Sequence, residues 1–226
     1  PMTSQLPVLL EIGPKGKKVV AVAPGWPGLA RGASSAEAAV ERIRAYLPRY
    51  APVAALAGLD ADFAAIGDVG AAGEYPGTGS TDFWGISFAF SEIDHQPMDN
   101  ETLGRHLALM RASWAFFDTV RGRVSAELRR GPRGGGRDRD KVVRHTLGVE
   151  LDWASGIGVA ASLDDLLAGE GLAAYRDSYC AAIRTLHAEG RMAKKWPLRY
   201  LIRHTAFHTL DHAWEMEDKD LTQAPA

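Results

Sequence analysis

Seven histidines occur in this chain of 226 residues, and three of them, His204, His208 and His212, follow one another at steps of four. On an α-helix each such step turns by about 400°, roughly 40° past a full turn, so the three imidazoles lie along one slowly drifting stripe. Two imidazoles one turn apart can point at a single ion. A helix is too narrow to surround that ion, so a further ligand must come from another segment. His145 is the candidate, because it lies between the apolar pair Val142/Val143 and Leu147 and is expected near the interior of a helical assembly. Asp211 and Glu215 stand beside the stripe as surface charges or as carboxylates that orient an imidazole. A site of three neutral histidines leaves a coordination position open, the arrangement of a catalytic rather than a structural metal. Such an ion acidifies a bound water and strips the proton from a bound thiol. Imidazole suits Zn2+, Ni2+, copper and Fe2+ alike, and Zn2+ is the default because it needs no redox partner.

The rest of the composition narrows the setting. Lys and Arg total 26 against 28 Asp and Glu, for a net charge of −2, so a protein that relies on a strong positive field over phosphates is excluded and nucleic acid is not the expected partner. One cysteine, Cys180, rules out an internal disulfide framework and any cysteine-held zinc or iron–sulfur cage. It reads as a packed thiol, with no histidine within a turn of it. No apolar run reaches the ~18–20 residues that span a bilayer, and no charged-then-apolar leader opens the chain. A reduced, cytoplasmic protein is expected. Pro1 ahead of Met2 reads as a remnant of tag removal and is left out of the fold reasoning. Gly134-Gly135-Gly136 lacks the Lys-Ser/Thr of a phosphate loop, and the five arginines between Arg129 and Arg139 read as a solvated loop.

The elements that must position the histidines fall in two halves. Val8–Ile12 and Lys18–Ala23 are short β-prone runs joined by Gly13-Pro14-Lys15-Gly16, followed by the Pro24-Gly25-Trp26-Pro27-Gly28 turn and a short strand at Leu29–Arg31. Ser34 stands three residues before Glu37, the spacing of a capping box, ahead of a helix Ala36–Tyr46 that Pro48 and Pro52 stop or kink. A β-β-(β)-α unit over 6–60 is therefore expected. Residues 61–97 read as a connector, irregular through Gly67–Gly85, with one strand at Ile86–Phe90. From Met98 the apolar spacing turns helical, and Leu103, Leu107, Met110, Trp114, Phe117, Val120 and Val124 mark one buried face. Asp99 or Asn100 caps that helix. Further helices are expected at Arg139–Ile157, at Leu172–Ala188 and from Pro197 to Lys219, with Ser162 capping a short piece between. Four helices of about 20 residues joined by loops make residues 98–219 an up-and-down four-helix bundle, and the whole chain α+β. His106 falls near the apolar stripe of the first of them, and Trp153 and Trp214 are either core or pocket lining.

The segment Arg203-His204-Thr205-Ala206-Phe207-His208-Thr209-Leu210-Asp211-His212-Ala213-Trp214-Glu215 resembles the last helix of the DinB/YfiT-like proteins, a superfamily of metal-binding four-helix bundles. Arg144-His145-Thr146-Leu147-Gly148-Val149-Glu150 is similar to the second-helix histidine segment of the same superfamily. Its pattern is one histidine on the second helix and an H-x-x-x-H pair on the fourth, which implies His145, His208 and His212 as ligands. His204 is then an additional histidine, or the pair is His204 and His208. The first 50 residues, with their Pro24–Gly28 turn and capped helix, are similar to the HicB-like β-β-β-α unit.

The resemblance implies a divalent-metal enzyme acting on a small molecule. The leading expectation is an S-transferase or isomerase that uses a thiol of the mycothiol or bacillithiol type, with a hydrolase as a variant of it. Under that mechanism Arg144 or Arg203 positions an anionic substrate, the alternative being surface ion pairs for both. The other expectation is a non-catalytic metal-binding stress or regulatory protein whose HicB-like half docks a protein partner. A homodimer is expected in either case.

Overall fold

The computed structural model describes residues 4–132 and 136–223. Pro1 and Met2, and Arg133, Gly134 and Gly135 of the glycine-rich loop, lie outside the described residues. In chain order the elements are β1 (Ser4–Ile12), β2 (Val19–Val22), β3 (Ala30–Ala33), α1 (Ala36–Leu56), α2 (Asp60–Ala64), β4 (Ile66–Pro76), α3 (Gly79–Trp84), α4 (Glu92–His95), α5 (Asn100–Arg123), α6 (Arg139–Ser155), α7 (Leu163–Leu167), α8 (Leu172–Ala188) and α9 (Leu198–Asp218). The class is α+β. The chain divides into two compact units, Pro1–Ala112 with Ile202–Phe207 and Ser113–Leu201 with His208–Ala226. Helices α5 and α9 each contribute to both.

In the first unit the strand order is β3-β2-β1-β4, with β1 antiparallel to β2, β2 antiparallel to β3, and β1 parallel to β4. Pro7 is tolerated in the central strand because β2 covers only Leu9–Ile12, so the missing N–H falls where that side of β1 has no ladder. The stretch Gly67–Gly85, expected to be an irregular connector, supplies β4 instead. Its glycines hide the strand pattern, and parallel pairing to β1, from Ser4↔Ile66 to Ile12↔Pro76, orders it. The strand expected at Ile86–Phe90 is absent. Ser87 and the Phe88 N–H are directed instead at the buried Glu11 side chain, at 2.5 and 2.9 Å.

Helix α1 is capped by Ser35 rather than Ser34. The Ser35 hydroxyl accepts the Ala38 N–H at 3.1 Å from an extended backbone, which moves Glu37 out of the box position. The helix also runs through both prolines to Leu56. Pro48 and Pro52 are one turn apart and both exposed, so both rings are carried on the solvent side of the helix.

An aromatic cluster joins the Pro24–Gly28 turn to the helices. Trp26 meets Phe63 at 4.8 Å and Tyr50 at 6.2 Å between ring centres, and the Tyr50 hydroxyl donates to the Pro27 carbonyl at 2.6 Å. Asp82, in the first turn of α3, accepts the N–H groups of Lys15, Lys17 and Lys18 at 2.6, 2.8 and 3.1 Å and so ties the β1–β2 loop to α3. Gly13 is required beneath that carboxylate, since a Cβ there would stand 2.0 Å from its oxygen.

The second unit is helical. Its core includes Trp114, Phe117, Val142, Leu147, Tyr179, Ile183, Leu210 and Trp214, all under 5% exposed. Cys180 is buried on α8. The expected limits of the long helices agree with α5, α6, α8 and α9 to within two or three residues. Asp99 caps α5 by accepting the Thr102 N–H at 2.7 Å, and Ser162 caps α7. Across the interior the Trp114 indole N–H donates to Glu150 at 2.7 Å, and Arg176 pairs with Asp118. No helix among the described residues is long and apolar enough to cross a membrane.

Candidate metal centre

Helix α6 brings His145 and helix α9 brings His208 and His212 to one place, where one ring nitrogen from each lies within 4.8 Å of the others. The ring centres are separated by 5.3 Å for His145–His208, 4.9 Å for His145–His212 and 4.6 Å for His208–His212, with the last two pairs close to perpendicular. The Nε2 atoms of His208 and His212 are 3.2 Å apart. Two nitrogens bound at ~2.0–2.1 Å on a tetrahedral ion stand about 3.3 Å from each other, so this spacing suits one ion. His145 is exposed, His208 half-buried and His212 buried. The expectation that His145 lies near an interior is therefore corrected: it is exposed and sits on the solvent side of the cluster.

Behind the triad stands Glu215. It accepts the His212 Nδ1 proton at 2.7 Å, which leaves the Nε2 lone pair directed at the cluster. The spacing of three residues on α9 places both groups on one face. Burial pushes the Glu215 carboxyl up, but hydrogen bonds from His212 and from Lys219 Nζ at 3.1 Å, with their charges, more than offset it and hold the group below the usual carboxylate range. Arg137 reaches the same carboxylate at 3.5 Å. His145 is pushed below the ordinary histidine range, first by desolvation and then by its neighbours His212 and Arg137. A ring kept neutral is a ring ready to ligate.

The remaining candidates are placed elsewhere. His204 belongs to the first unit, buried with its ring 5.7 Å from Phe88, and burial pushes it down to about 3. It is a neutral packed ring and lies outside the triad. His106 is buried in the first unit and also outside it. Arg203, expected at a substrate, is committed to a buried fork on Asp94, with Nε and NH2 each 2.8 Å from a carboxylate oxygen, and to Ser87 at 2.9 Å. Arg144 pairs with Asp164 at 3.1 Å on the surface. Asp211 is half-buried, and Trp214 is wholly core. Trp153 faces the centre, its ring 5.3 Å from that of His208.

The sequence reading did not single out Arg137 or Lys219. Lys219 carried a signal, four residues beyond Glu215 on the same face. Arg137 carried none, because its loop position has no periodicity. No protein-family model, no curated protein and no solved structure matches this chain.

Proposed function

We propose that His145, His208 and His212 hold a divalent metal ion, Zn2+ first among the choices, and that the chain is a small-molecule enzyme of the DinB-like kind. The reaction class proposed is S-transfer or isomerisation with a mycothiol- or bacillithiol-type thiol. The observation that carries this reading is the convergence of three ring nitrogens backed by a carboxylate, on a side open to solvent. When bound, the ion supplies Lewis acidity that lowers the proton affinity of a thiol or water. The chain's own contribution is orientation. Glu215 keeps the His212 proton on Nδ1, Lys219 and Arg137 keep Glu215 charged, and the perpendicular rings direct their nitrogens inward.

Metal analysis by mass spectrometry and zinc titration calorimetry test the premise. One zinc per chain is expected, with loss of binding in His208→Ala and retention in His204→Ala. A protein that takes up no metal, or a His208→Ala variant that binds as well as the original, would overturn it. Cobalt substitution tests the thiol. Adding a low-molecular-weight thiol is expected to produce the near-ultraviolet band of a sulfur–cobalt bond, and an unchanged spectrum would remove the thiol while leaving the ion.

A second reading has one observation in its favour. Phe83 and Trp84 at the end of α3 are 74% and 63% exposed, with ring centres 4.6 Å apart, an apolar pair suited to docking a protein partner on the HicB-like half. In that reading the ion is structural or sensory. A defined partner that co-purifies with the chain and is lost in Phe83→Ser/Trp84→Ser would favour it.

A further inference from the structure

The centre has an aromatic neighbour. Trp153 lies against His208 on one side and 5.8 Å from Trp196 on the other, ring centre to ring centre. These two indoles wall a cavity of about 360 Å³ whose lining continues through Ile157, Leu201, Lys194 and Lys195. That volume lies in the range of sites that enclose small organic ligands. Asp152 also lines the cavity, so the lining carries two lysines against one aspartate and its charge favours an anion.

The backbone under those lysines is unusual. Ala193 and Trp196 exchange two N–H···O=C bonds of 2.9 Å, closing a turn whose only interior residues are Lys194 and Lys195. Lys194 sits at φ 55°, the only non-glycine residue with positive φ among the described residues. Glycine makes such a turn without strain, whereas a side chain held there is over-determined by its surroundings. The stem of Lys194 crosses Gly156 at the end of α6, where a Cβ would stand 3.4 Å from Cε. The turn thus keeps a lysine in the lining of the cavity, where a glycine would relieve the backbone and lose the charge.

We propose that the cavity lined by Trp153 and Trp196 binds a small aromatic carboxylate, its ring against the indole pair and its carboxylate on Lys194 and Lys195. A planar apolar ring suits the faces and edges of two tryptophans, and a carboxylate suits compact ammonium donors at a solvent rim. Because Trp153 is shared with His208, a ligand so held lies beside the metal centre. Its assignment as the substrate rests on the enzyme reading above, while the binding does not.

Calorimetric titration of the full chain with 1-naphthoate and with neutral 1-naphthamide tests the proposal, both on protein stripped of metal by chelation and on zinc-loaded protein. On the metal-free chain naphthoate is expected to bind about tenfold more tightly than naphthamide, a difference of about 1.4 kcal/mol. The variant Lys194→Gly/Lys195→Ala, which leaves the turn compatible with its backbone, is expected to erase that preference while still taking up zinc. Trp196→Ala is expected to weaken both ligands, with circular dichroism confirming its fold. Naphthoate binding that ignores the lysine substitutions, or no binding of either ligand, overturns the proposal. If naphthoate binds only with zinc present, its carboxylate sits on the ion, and the cavity assignment fails while the metal centre stands. Lysine-dependent binding in a chain that takes up no zinc leaves the cavity standing and removes the metal reading.

Discussion

At the scale of single residues, the two units treat buried charge differently. Arg203 in the first unit is matched by Asp94, which also accepts from the Ser91 N–H at 2.8 Å, and Ser87 links the pair to Glu11. Burial pushes Asp94 up, but the Arg203 bonds and charge win and leave it below the usual range. Removing one partner strands the other, so Arg203→Met is expected to cost roughly 3–5 kcal/mol in a denaturant titration. A loss under about 1 kcal/mol would show that the fork is worth no more than an exposed pair.

Glu150 in the second unit has no such match. Burial pushes it above the usual range by more than the Trp114 N–H and the Arg176 charge pull it down. The folded chain therefore keeps a proton that the unfolded chain releases near 4.5. Stability is full below that pH and falls as pH rises toward the raised folded value. Glu150→Gln, which keeps an acceptor for Trp114, is expected to match the original near pH 4 and to melt higher at pH 7.5. A lower melting temperature at pH 7.5 would contradict this.

At the scale of elements, α1 tests how far proline rules bend. Each exposed proline removes one helical hydrogen bond, at about 3 kcal/mol in a helix interior, against about 1 kcal/mol gained by stiffening the unfolded chain. Pro48→Ala is expected to stabilise by up to about 2 kcal/mol in chemical denaturation. No gain would mean that water already satisfies the freed carbonyl of Arg44.

The long helices show where the sequence was legible. The long helices α5, α6, α8 and α9 announce themselves through apolar residues every three or four positions, and their ends through Asp99 and Pro197. The pairing of His208 with His212 rather than with His204 was left open by spacing alone, because all three rings share a stripe. The burial of His204 against Phe88 separates them. Strand β4 stayed hidden because Gly67, Gly70 and Gly73 carry no side-chain pattern, and its partner β1 lies some sixty residues earlier. Arg203 looked like a substrate group because Asp94, its partner, is 109 residues away in sequence.

At the scale of the whole molecule, the triad joins α6 to α9 within one unit. An ion bound there ties together segments more than sixty residues apart in sequence, as His145 and His208 show. Binding that favours the folded state adds about 2.7 kcal/mol at a hundredfold excess over the dissociation constant. Zinc at that excess is expected to raise the melting temperature by several degrees, and a chelator or His145→Ala to cancel the rise. A melting curve indifferent to zinc would count against a folded-state site.

The Asp82 carboxylate has a consequence of another kind. The β1–β2 turn closes on itself, Gly16 N–H to the Gly13 carbonyl at 2.8 Å and Gly13 N–H to the Lys18 carbonyl at 3.0 Å, but the N–H groups of Lys15, Lys17 and Lys18 go to a carboxylate more than sixty residues downstream. Those three find their acceptor only after α1, α2 and β4 have been traversed. Their satisfaction is therefore a late, non-local event in folding. A ribosome-bound chain truncated before Asp82 would show these three amides unprotected against hydrogen exchange, and one extended past Trp84 would show them protected.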